Sequence, residues 1–89
     1  MPYIKQELRS IIDPKLEELF VVLKGIPSES LDGVVNYVIT RVIVDSYWSS
    51  YSELMRAIGT LQMVAHELYR RRIAEYEDFK KLENGDVYQ

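Results

Sequence analysis

The residues of this chain that could do chemistry lie close together, between 66 and 78. Glu75 and Asp78 form an E-x-x-D pair, which helical spacing places on one face. Such a pair can hold Mg²⁺ beside a phosphate. Arg70-Arg71-Arg72 is the densest positive charge, and arginine favours bidentate anion binding. Three consecutive helix residues span about 200° of arc, so the arginines do not form one flat patch. Glu67, Glu75, Glu77 and Asp78 surround them, which reads first as a solvated, salt-bridged helix. His66 is the single histidine, and a metal site normally needs more ligands of its type. Tyr47, Trp48 and Tyr51 could stack a base, but aromatics at a helix corner more often close a core or a dimer seam. No nucleophile stands beside a base, and there is no glycine-rich phosphate loop.

An all-α nucleotide pyrophosphohydrolase would need a second acidic pair from an antiparallel helix. Here only Glu17 and Glu18 are on offer, and they are adjacent rather than three apart. Half of that pattern is therefore missing. Metal ligation by Glu75 and Asp78 stays an alternative. No catalytic residue, resident metal or cofactor is expected.

The element that positions these residues is a long amphipathic helix over 51–82. Ser50 and Glu53 fit a capping box at its start. Leu54, Ile58, Leu61, Ala65 and Leu68 recur at steps of three and four, and Ile73, Tyr76 and Phe79 continue the stripe with a small drift. Glu67 with Arg71, Arg71 with Glu75, and Glu77 with Lys81 are spaced for i,i+4 pairing, worth roughly 0.2–0.5 kcal/mol each. Asn84-Gly85 supplies the stop. Gly59 marks either a kink or a close helix approach, at a cost of about 1 kcal/mol relative to alanine. The span corresponds to about 45 Å. That is too long for one small globule to cover, so part of the stripe should meet another chain. The expected seam runs through Leu61, Leu68, Ile73, Tyr76 and Phe79.

Asp13-Pro14 reads as the N-cap and N1 of a helix over 14–24, ended by Gly25 and Pro27. Residues 1–12 form a lead-in that could include a helical turn or two. Ser28 or Ser30 caps a second helix over 30–47. Its β-branched residues also fit a strand. Polar residues recurring at three to five, a length beyond a usual strand and the lack of a second strand favour helix. The tail 84–89 is extended, with Val87 and Tyr88 expected against the body beside Tyr3 and Ile4.

The 89 residues fit one domain, and their composition is globular rather than disordered: 47% apolar and 28% charged. A domain of this size buries only around 60% of its unfolded surface, so dimerisation would help. With no cysteine there is neither a disulfide framework nor a thiolate metal site. No apolar run is long enough to cross a membrane and Met1-Pro2-Tyr3 does not open a signal peptide, so a cytoplasmic setting is expected. A net charge of −3 argues against broad nucleic-acid binding, leaving a weak contact through Arg70–Arg72 as a further alternative.

Met1-Pro2-Tyr3-Ile4-Lys5, Asn36-Tyr37-Val38-Ile39-Thr40, Ala57-Ile58-Gly59, Glu67-Leu68-Tyr69-Arg70-Arg71, Tyr76-Glu77-Asp78 and Glu83-Asn84-Gly85-Asp86-Val87-Tyr88 together resemble a family of short uncharacterised proteins found in phages and microbial genomes. The likeness covers most of the chain. It implies a complete small protein and no known activity. It draws attention to Tyr69, Arg70, Arg71, Tyr76, Glu77 and Asp78 as a binding region. The expectation is an all-α, three-helix antiparallel bundle with a long C-terminal helix. It would act as a homodimer in interaction or accessory work, with an unidentified protein partner and no membrane.

Overall fold

The computed structural model describes residues 1–47 and 49–88. These residues are helical or irregular, and none is in a strand. Helix α1 covers Gln6–Lys24 and α2 covers Ser28–Ser46. The long helix has three parts: α3 over Tyr51–Leu68, a π turn over Tyr69–Ile73, and α4 over Ala74–Asn84.

Helix α1 does not begin at Asp13-Pro14 as the capping signal implies. It begins at Gln6, and Pro14 lies inside it. Gln6, Glu7, Leu8 and Arg9 are good helix formers, and the Arg9 Nε donates to the Ile4 carbonyl at 2.9 Å, bracing the first turn. Pro14 has no N–H for the Ser10 carbonyl. The Ser10 hydroxyl donates one turn back, to the Gln6 carbonyl at 3.0 Å. Gly25 ends α1 in ordinary right-handed geometry, with φ −86°. The break comes from Pro27, which steers Ile26 away from the helical region.

Helix α2 is a helix despite its β-branched content. Its polar residues meet at helical spacing: Thr40 donates to Asn36 at 3.2 Å, and Arg41 donates to the Tyr37 hydroxyl at 2.9 Å. Neither Ser28 nor Ser30 caps it. Pro27 occupies the N-cap position, and no side chain bonds there.

The capping box of the long helix forms with a shift of one residue. The Glu53 N–H donates to the Ser50 hydroxyl at 3.2 Å, while the Glu53 carboxylate accepts from the Ser49 N–H at 2.9 Å rather than from Ser50. Backbone angles are helical where the π turn meets α3 and α4, and the helical assignment runs unbroken from Tyr51 to Asn84. At 1.5 Å per residue this is about 51 Å, comparable to the longest dimension of the molecule, 48 Å. Gly59 neither kinks the helix nor admits a neighbour: a Cβ there would meet nothing within 4 Å. Gly85 ends the helix at φ 94°, a backbone that side chains rarely adopt.

The three helices do not close into the expected bundle within one chain. Helices α1, α2 and α3 make no extended contact with one another. Among the described residues only Ala57 is buried. Leu19, Leu23, Ile26, Val34, Val35 and Val38 are half-buried. The radius of gyration is 17.1 Å, against about 12 Å for a compact chain of this length. The chain exposes 8282 Å², where a compact protein of its mass exposes about 5,400 Å². The connections at Gly25–Pro27 and between Ser46 and Tyr51 are of the length that helical bundles use, so loop length is not what keeps the helices apart. The proposed aromatic corner is equally open. Tyr51 is exposed, Tyr47 is half-buried with the Arg56 guanidinium 6.0 Å from its ring centre, and Trp48 lies outside the described residues.

Candidate functional site

Two clusters form on the long helix, and each draws on residues of the π turn. The first joins the irregular N-terminal strap, residues 1–5, to the end of α3. Tyr3 donates its hydroxyl hydrogen to Glu67 Oε1 at 2.7 Å, and an Arg71 guanidinium nitrogen donates to the Tyr3 oxygen at 2.8 Å. Arg70 grips the same carboxylate with two donors, at 2.6 and 3.3 Å. Glu67 therefore accepts from three donors. The Arg70 and Tyr3 hydrogen bonds hold its carboxyl down to about 2, and Glu67 in turn raises Arg70. A carboxylate held in this way is a poor proton acceptor near neutral pH. The strap and the helix enclose an open groove of about 510 Å³, in which Met63, Val64 and Leu68 meet Arg71 and Arg72.

The second cluster lies across the π turn. Tyr69 donates to the Glu77 carboxylate, eight residues on. In a regular helix residue 77 would sit about 80° around the axis from residue 69. The extra residue of the π turn brings the two side chains into line. The Glu77 hydrogen bond and charge raise the Tyr69 hydroxyl above its ordinary value of 10.0. The tail borders this side rather than the Tyr3-Ile4 segment, and Tyr69, Glu77, Lys81, Asp86 and Tyr88 line a shallow groove there. Val87 and Tyr88 remain exposed at its rim, so they do not pack on the body.

The charge pairs also differ from those that the spacing suggests. The expected i,i+4 partners give way to i,i+3 pairs: Arg70 with Glu67 at 2.6 Å, Lys81 with Asp78 at 3.8 Å and Lys80 with Glu83 at 3.6 Å. Arg71 turns to Tyr3 instead of Glu67 or Glu75. Tyr76 carries the Lys80 ammonium 5.8 Å from its ring centre. Of the expected binding residues, Arg70 and Arg71 thus join one cluster, Tyr69 and Glu77 the other, and Tyr76 and Asp78 pair locally. Among the described residues no three acidic or histidine side chains come together as a metal-holding group. Glu75 and Asp78 gain no third ligand from Glu17 or Glu18 of the same chain, and Glu18 instead pairs with Lys15 at 3.5 Å. The seam residues Leu61, Leu68, Ile73, Tyr76 and Phe79 all stay exposed.

Tyr3 is the participant that sequence reasoning missed. It reads only as an apolar residue of the lead-in, and no periodicity links positions 64 apart. The five-residue step from Leu68 to Ile73 was a legible sign of the π turn, because a five-residue turn keeps those two side chains near one line.

These features define a small all-helical protein whose long helix carries two tyrosine–carboxylate clusters, with no described helix long and apolar enough to cross a membrane. The chain belongs to the family of the domain of unknown function DUF6899, which matches residues 1–87 and so takes in both clusters. No curated protein and no solved structure matches it.

Proposed function

We propose that the chain is a non-enzymatic interaction or accessory protein that works as a homodimer in the cytoplasm. The observation that carries this reading is the exposed surface. It exceeds that of a compact chain by about 2,900 Å², drawn from a total of 8282 Å². Each protomer of an obligate homodimer loses about 1,000–2,500 Å². The long helix contributes much of the apolar part: Ile58 is 58%, Leu68 57% and Phe79 62% exposed. Covering such a stripe is worth about 25 cal/mol per Å² before association costs. The chemistry of the first cluster fits the same reading, since Glu67 is already occupied by its donors and is poorly placed to take a proton.

Light scattering tests it directly. The expected mass is twice 10.5 kDa, falling toward the single-chain value in Leu68→Asp. A wild-type protein with the mass of one chain overturns the reading. Thermal stabilisation by nucleotide only when Mg²⁺ is present would instead favour hydrolase chemistry at Glu75 and Asp78.

A further inference from the structure

The direction of pairing is legible in the charge along the long helix. The half Tyr51–Glu67 carries three charged residues, Glu53, Arg56 and Glu67; the half Leu68–Asn84 carries nine, beginning with Arg70-Arg71-Arg72. Two such helices side by side in parallel register would set every charge level with its own copy. The arginine run would face an arginine run, and Glu75, Glu77 and Asp78 would face the same acids. Like charges brought together in this way oppose association. In a full-length antiparallel overlap, Tyr51 is level with Asn84 of the second copy and Glu67 with Leu68. Arg70, Arg71 and Arg72 are then level with Ala65, Val64 and Met63; Glu75, Glu77 and Asp78 are level with Thr60, Ile58 and Ala57. Each charged residue of either half finds an uncharged residue opposite it.

The surface available for this contact is the α3 stripe. Leu54 is 39%, Ile58 58%, Leu61 37% and Leu68 57% exposed, although they share one face at helical spacing. The groove beneath the strap is lined by Met63, Val64, Leu68 and Arg71, so of the α3 stripe it reaches Leu68 at one edge, while Leu54, Ile58 and Leu61 lie outside it. Full overlap uses the whole length of the helix, about 51 Å, and so draws most from the exposed surface that the single chain leaves uncovered.

We infer that two copies pair antiparallel along the Tyr51–Asn84 helix, with the twofold axis at Glu67 and Leu68. This rests on the homodimer reading and adds its direction and register. The axis then sets the Tyr3–Glu67–Arg70 clusters of the two copies level with each other at mid-length, on the flanks of the assembly. The two tails lie at opposite ends.

The chain has no cysteine, so single cysteines report on the geometry without background. The variants are Leu54→Cys, Leu68→Cys and Phe79→Cys, oxidised mildly and run on a non-reducing gel beside light scattering of the unoxidised proteins. A disulfide needs Cα atoms about 4.4–6.8 Å apart. In the antiparallel pair only position 68 meets its own copy; position 54 lies about 40 Å from its copy and position 79 about 35 Å. The expected result is a covalent dimer from Leu68→Cys alone. Cross-linking at all three positions overturns the inference in favour of parallel pairing and leaves the homodimer standing. A dimeric mass without cross-linking at position 68 overturns the register. A single-chain mass with no cross-link overturns the homodimer reading and the inference with it.

Discussion

Tyr3 and Glu67, 64 positions apart, are joined by a 2.7 Å hydrogen bond that fastens the N-terminal strap to the middle of the long helix. Arg70 and Arg71 complete the attachment from either side of the tyrosine–carboxylate pair. The arrangement depends on Glu67 being ionised. Its folded-state value is about 2, below the ordinary 4.5. A group depressed in this way contributes stability that is fully present above about pH 4.5 and is lost as pH falls toward 2. The protection of amides near Ile4 against hydrogen exchange, taken relative to the intrinsic rate at each pH, should therefore fall across that window in the wild type. In Glu67→Gln that protection should already be low at neutral pH, with little further change on acidification. Unchanged exchange in the variant would show that the attachment does not hold the strap.

The Tyr69–Glu77 bond makes a separate prediction at the alkaline end. A raised folded-state value means that this hydroxyl contributes stability below about pH 10 and loses it as pH rises further. Among the seven tyrosines, one should titrate late in an ultraviolet absorbance titration. Tyr69→Phe should remove that late step, and Glu77→Gln should move it back among the others. A titration curve insensitive to both changes would argue against the bond.

Pro14 interrupts the backbone ladder of α1. Pro14→Ala restores an N–H for the Ser10 carbonyl and relieves the ring clash. Proline in a helix interior costs about 3 kcal/mol, so the substitution should raise stability by up to that amount. Chemical denaturation read by circular dichroism measures the gain. A loss of stability would mean that the proline ring itself is needed for packing that α1 makes elsewhere.

Gly59 occupies the interior of α3, with open space where a Cβ would lie. Gly59→Ala should therefore stabilise the helix by about 1 kcal/mol. The same denaturation experiment reads it, with light scattering as a check on assembly. Destabilisation would reveal a neighbour at this position that the single chain does not supply.

What the sequence determined by itself is local. The backbone bonds of a helix join residues four apart, and side chains three or four apart share a face. The long helix, its Ser50 cap, its stop at Gly85 and its apolar stripe are therefore all written in short stretches. The helical choice for residues 34–44 follows from the same spacing, because Asn36 and Thr40 meet only in a helix. The Pro14 signal misled because a local capping preference of about 1 kcal/mol was outweighed by the helix already running from Gln6. Only the tertiary structure decided that Tyr3 reaches Glu67 and that Arg71 leaves its expected carboxylates for Tyr3. It also decided that the three helices stay splayed, leaving Ala57 as the one buried residue among those described. Those outcomes depend on distances between residues far apart in the chain. Periodicity reports which face of a helix is apolar, but not what comes to cover it.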